Sequence, residues 1–120
     1  MDIAVDNKAS RLLEHRRQGQ AVLITILCNY ALPTEALTAE WSHVEWAAHD
    51  PDLAYLGTLS GTPCYVHRRL AAYARWHPLT LTAGTPWWPS FAVEKAGEVL
   101  RDLAVWEQTH PGLCEITATH

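Results

Sequence analysis

The sequence predicts a mainly α fold: one compact domain over residues 1–120, built as a bundle of five or six helices with room for one or two short strands. An α+β fold is the alternative. Three observations point there. Helix-start signals recur along the chain, at Asp6-Asn7, Pro33-Thr34, Asp50-Pro51, Thr62-Pro63 and Ser90, each placing a capping residue or a proline where a first turn uses one. Apolar residues recur at three- and four-residue intervals in the segments that follow. Finally, 120 residues, 48% of them hydrophobic and 18% charged, suffice for one core that removes roughly two-thirds of the unfolded surface from water.

Asp6 or Asn7 caps a first helix ending near Arg16-Arg17, with Gly19 just beyond it. Ala21 to Tyr30 reads two ways. Val22, Ile24, Thr25 and Ile26 suit a strand, but eight nearly continuous apolar residues also suit a buried helix. Pro33-Thr34 opens a helix over 35–49. At 100° per residue, Leu37, Trp41, Val44 and Ala48 share its core face, and Trp46 falls nearly opposite. Pro51–Leu59 and Thr62–His77 follow as two more helices separated by the turn Ser60-Gly61. Pro78–Pro89 is a loop with a short Leu79–Thr82 strand. Ser90 then caps the longest helix, running to about Thr109 before Pro111-Gly112. Its Val93, Ala96, Val99, Leu100, Leu103 and Trp106 form one apolar face, while Glu94, Glu98, Arg101 and Asp102 stay in water. No internal repeat or low-complexity tract is present.

Three cysteines (28, 64, 114) are too sparse for a disulfide scaffold and suggest a reducing compartment. The acidic start Met1–Asp6 lacks the basic region and apolar run of a secretory signal, and the longest apolar stretch, Ala21–Cys28, is far short of a membrane span. A cytoplasmic protein without a membrane association is expected. Net charge is −4, and it is segregated: residues 21–61 hold Glu35, Glu40, Glu45, Asp50 and Asp52 without a Lys or Arg, and residues 62–80 hold Arg68, Arg69 and Arg75 without an acid. Opposite segments can pair with each other, or each can meet a partner of the other sign.

The chain is rich in tryptophan, with six at 41, 46, 76, 87, 88 and 106. A small core takes few such rings, so some are expected at a partner or ligand. Trp87 and Trp88, adjacent in the proline-braced segment Thr85–Phe91, cannot easily both enter one core, and a braced loop presents an aromatic anchor at low entropic cost. The first functional expectation is therefore a regulator or inhibitor that binds another protein by stoichiometric contact, without catalytic residues, cofactor or metal. A compact inhibitor encoded by a phage or other mobile element fits this description. Trp87, Trp88 and Trp46 would supply anchors, and Glu40, Glu45, Arg68, Arg69 and Arg75 the charge complementarity; a homodimer would hide part of that surface.

Two other readings compete. Residues 51–77 have the layout of a helix-turn-helix that would offer Thr62, Tyr65, His67, Arg68 and Arg69 to nucleic acid. The chain's acidity and a His67 where a recognition helix buries an aliphatic residue argue against it. The third is a thiol or metal enzyme at Cys64 and His67. In the first turn of a helix, Cys64 would feel unpaired N–H groups, with Arg68 one turn on. The pairs Cys64/His67, Glu40/His43 and Glu45/His49 are the candidate metal ligands, but no second tight pair completes a structural zinc site.

Overall fold

The computed structural model of the protein describes residues 2–29, 34–84 and 90–110. Its elements run β1 (Ile3–Val5), α1 (Asn7–Leu13), β2 (Gln20–Asn29), β3 (Thr34–His43), α2 (Val44–His49), β4 (Leu53–Leu59), β5 (Thr62–His67), α3 (Arg68–Trp76), β6 (Leu79–Ala83), β7 (Phe91–Val93) and α4 (Ala96–Thr109). The strands form two sheets, ordered β1-β6-β7 and β3-β2-β5-β4. The fold is mixed α/β, so the expected helical bundle is corrected.

The largest correction is residues 35–49. Leu37-Thr38-Ala39-Glu40-Trp41-Ser42 alternates strictly apolar and polar, and that period of two wins over the helical spacing of Leu37, Trp41 and Val44. The reason is β2. Val22, Ile24 and Ile26 already form one apolar face, and a ten-residue antiparallel register from Gln20↔His43 to Asn29↔Thr34 sets Leu37, Ala39 and Trp41 beside them. Only the last six residues, Val44–His49, remain helical.

Residues 53–67 form a β-hairpin. Ser60 and Gly61 are its two-residue loop, both at positive φ (51° and 80°), between the paired residues Leu59 and Thr62. That handedness matches the twist of the strands it joins. A bulge at Tyr55/Gly57, with Gly57 at φ 110°, puts Leu56 as well as Gly57 on the core side opposite Cys64. Pro63 precedes the stretch of β5 that runs parallel to β2, which begins at Val22↔Cys64. The helix expected from Thr62 therefore starts six residues later. His67 caps it by accepting the Arg69 N–H at Nδ1 (3.2 Å).

Smaller differences follow the same logic. Asp6 does cap α1, accepting the Ala9 N–H at 2.8 Å, but the helix stops at Leu13 rather than near Arg16. Strand β6 begins at the expected Leu79. Residues 91–93 pair with it as β7 before α4 begins at Ala96, so Ser90 caps no helix. Val93, expected on the apolar face of this helix, lies in β7 instead; the rest of that face is on α4, with Leu103 and Trp106 buried.

The main core lies between the two sheets and α1, α3 and α4. Ile24, Leu70, Leu81 and Leu103 are fully buried there, each worth roughly 1.5–3 kcal/mol relative to exposure. Strand β7 joins the sheets by packing on β3, where Phe91 meets the Trp41 ring edge-on at 4.9 Å. A smaller cluster of Leu23, Ala47 and Leu53 sits on the other side of the four-stranded sheet, under α2. No helix among the described residues is long and apolar enough to cross a membrane.

Candidate functional site

The two faces of the four-stranded sheet are unlike. Its inner face carries Val22, Ile24, Ile26, Leu37, Ala39, Cys64 and Val66, all in the main core. By register, its outer face carries Leu23, Thr25 and Leu27 of β2, Ala36, Thr38 and Glu40 of β3, Pro63 and Tyr65 of β5, and Tyr55 of β4. One short helix covers it.

That helix, α2, links the end of β3 at one edge of the sheet to the start of β4 at the other, and it contacts all four strands. Strands β3 and β4 point the same way, so the connection must run back along the sheet, and α2 forms a diagonal ridge. A six-residue helix is about 9 Å long and a four-stranded sheet roughly 14 Å wide, so much of the face is left uncovered. Both ends of the ridge are tied. Val44 N–H donates to Gly19 O at 2.8 Å. Past the far end, Asp52 O accepts the Arg68 N–H at 2.9 Å and Pro51 O accepts from Arg68 Nε. Ala47, only 1% exposed, is the contact pressed against the sheet.

Five large hydrophobic residues are exposed among the described residues: Leu27, Trp46, Tyr55, Trp76 and Val105. Three of them belong here. Trp46, on α2, is 57% exposed, as is Tyr55; Leu27 is 55% exposed. Tyr55 also leans on Tyr65 across the β4–β5 pair, ring centres 5.3 Å apart. Around them stand Glu40 on the sheet, Glu45 on the ridge, and Asp50 and Asp52 just after it. Among the described residues none of these four carboxylates forms an ion pair. Asp50 instead accepts the Asp52 N–H. The result is an apolar, partly aromatic surface with an acidic rim, where Arg68 reaches the Asp50–Asp52 end through Pro51 O.

The structure thus brings Trp46, Glu40 and Glu45 to one face, with Arg68 reaching its far end and Arg69 and Arg75 elsewhere. All three arginines start from α3, which packs on the main core. The Arg69 guanidinium is engaged twice, by Glu107 on α4 (2.7 and 3.1 Å) and by Glu35 on β3 (2.6 Å), and these pairs, Glu107 foremost, raise its already high pKa. The acidic and basic segments therefore partly satisfy each other. Arg68 fastens the α2–β4 connection, and Arg75 lies exposed in the last turn of α3. Trp87 and Trp88 lie outside the described residues, in the connection whose base closes through Gly84 N–H to Ser90 O at 2.6 Å.

The competing constellations change character. Residues 51–77 are a hairpin followed by one helix, so no helix-turn-helix is present there. Cys64 is a fully buried strand residue rather than a first-turn thiol, and burial pushes its pKa up to about 12. It is protonated and inaccessible at neutral pH, which removes the physical case for a thiolate nucleophile. His67 is lowered, by burial first and by Arg69 next, in keeping with a neutral ring that accepts at Nδ1. The paired metal-ligand candidates gain no third donor: among the described residues no three His, Cys, Asp or Glu side chains gather at one point.

The outer-face residues that the sequence reading missed are Leu27 and Tyr55; Tyr65 was named only as a nucleic-acid contact. Their signal was present in the alternation of β2 and the Ser60-Gly61 turn, which together set Tyr55 opposite Tyr65. No family model matches the chain, and no curated protein or solved structure matches it.

Proposed function

We propose that this chain is a protein-binding module, acting as a regulator or inhibitor by stoichiometric contact through the outer face of its four-stranded sheet. One observation carries the reading: among the described residues, three of the five exposed large hydrophobics, Trp46, Tyr55 and Leu27, share a face with four carboxylates that form no ion pair. Large apolar side chains exposed on one face and rimmed by polar groups mark contact surfaces. Trp and Tyr anchors supply much of the energy in such contacts, and a tryptophan on a helix tied at both ends loses little freedom on binding. The acidic rim selects a partner with an apolar centre bordered by Lys and Arg, and steers its approach.

The test is affinity capture from nuclease-treated lysate of the source cells, comparing wild type with Trp46→Ala/Tyr55→Ala and with Trp76→Ala, which alters an exposed ring on α3. A protein held by wild type and Trp76→Ala, and reduced at least tenfold by the double variant, supports the reading. Retention that the double variant leaves unchanged, or that nuclease abolishes, refutes it.

A further inference from the structure

On the inner side of the same sheet, away from the α2 ridge, lies a cavity of about 470 Å³ lined by Leu12, His15, Arg17, Gln20 and Trp41. It occupies the gap where α1 ends four residues before Arg17 while Trp41, paired with Val22, closes the edge of the core. The floor is apolar, made by the Trp41 ring and Leu12, both partly buried against the main core. The rim is different. Arg17 is held by its backbone: its N–H donates to Gln20 Oε1 at 2.9 Å and its carbonyl accepts the Gln20 N–H at 3.1 Å. Its guanidinium has no partner among the described residues. Neighbouring Arg16 is occupied, donating to Gln20 O and Gly61 O. Gln20 Oε1 accepts the Arg17 N–H, and its NH2 group remains as a donor.

We infer that this cavity is a binding site for a planar aromatic anion of up to mononucleotide size. Its volume falls within the range of about 300–1,000 Å³ usual for small-molecule sites. Trp41 supplies a π surface for a flat ring. The Arg17 guanidinium and the Gln20 NH2 group donate, the His15 ring donates or accepts according to its tautomer, and no carboxylate is among the described lining residues, so the cation favours an anionic acceptor at the polar end of the ligand: a carboxylate or a phosphate. Arg suits either, because its fork matches both geometries. This assigns a role to Arg17, which the protein-contact surface does not use.

The probes are adenosine 5′-monophosphate and indole-3-acetate as aromatic anions, adenosine and indole-3-acetamide as their uncharged counterparts, and inorganic phosphate as the bare anion. Titration of the full chain, followed by amide and indole NMR shifts, is expected to give saturable binding of at least one aromatic anion, at least tenfold tighter than its uncharged counterpart. Phosphate alone binds at least tenfold more weakly than the anion that saturates. The shifts concentrate at His15–Gln20 and Trp41. Arg17→Gln, an exposed change that leaves the core intact, weakens binding about tenfold, whereas Arg101→Gln on α4 leaves it unchanged. Preference for the phosphate or the carboxylate probe identifies the acceptor. Failure of both anions to saturate below about 10 mM, binding equal for charged and uncharged probes, or indifference to Arg17→Gln overturns the assignment.

Discussion

On β2, Ile24 and Leu27 are three residues apart and face opposite ways, Ile24 fully buried beneath the helices of the main core and Leu27 more than half exposed. The whole four-stranded sheet repeats that contrast. Its inner face is sealed by three helices and a second sheet; its outer face has one helix of six residues. Burial on the first stabilises the fold, while exposure on the second stabilises nothing in the free chain. What the comparison teaches is where to separate folding from binding: substitutions on the two faces of one strand should differ in kind.

The largest effect belongs to the inner face. Ile24→Ala or Leu70→Ala removes fully buried methyl and methylene groups and leaves a cavity, so urea denaturation should show a loss of about 2–5 kcal/mol. Trp46→Ala and Tyr55→Ala should each change stability by less than about 1 kcal/mol in the same assay while impairing partner capture. Stability losses of core size at the outer positions would erase the distinction between the faces.

An intermediate effect is expected at Ala47, the contact between ridge and sheet. Ala47→Leu overpacks the interface against Leu23 and Leu53 and should cost about 1–3 kcal/mol. Because it also displaces Trp46, it should weaken capture more than its stability loss explains. If capture is unimpaired, the fixed position of the ridge is irrelevant to binding.

Two smaller effects sharpen the inner side. Asp6 is held below its ordinary carboxyl pKa, chiefly by the Ala9 N–H and next by the Thr82 hydroxyl. A depressed folded-state pKa gives a contribution that is complete above the unfolded value, near 3.8, and is lost as pH falls through the lower folded value. Asp6→Asn keeps a capping oxygen but should flatten the loss of stability below about pH 4, whereas Asp6→Ala should cost about 1 kcal/mol at neutral pH. In a Cys114→Ser background, alkylation of the folded protein at pH 8 should modify exposed Cys28 and spare Cys64. Rapid loss of both thiols would contradict the burial of β5.

Part of this architecture was legible from residues alone. The cap at Asp6, the strand at Leu79 and the apolar face of α4 follow from local rules; the first two hold, and the third holds from Ala96 on, with Val93 moved to β7. Residues 35–67 misled because two periods coexist there. Leu37, Trp41 and Val44 satisfy a helix while Leu37, Ala39 and Trp41 satisfy a strand, and only the presence of β2 as a pairing partner decides. Asp50-Pro51 and Thr62-Pro63 look like helix starts, but the first precedes β4 and the second opens β5. The positive φ of Ser60 and Gly61 belongs to a hairpin loop, and that loop was the better signal. Once Cys64 moves from helix to strand, its chemistry changes with it. The candidate surface was half visible: Trp46, Glu40 and Glu45 stand out in the sequence, but Leu27 and Tyr55 join them only through cross-strand register, a property of the assembled sheet.

The most direct measurement is hydrogen exchange on the captured complex against the free chain, read peptide by peptide. The account predicts new protection in residues 44–58, spanning the α2 ridge and the first strand of the hairpin, with the amides of α3 and α4 unchanged. Protection concentrated in α3 or α4, with residues 44–58 exchanging as in the free chain, would place the contact on the other side of the molecule and contradict it.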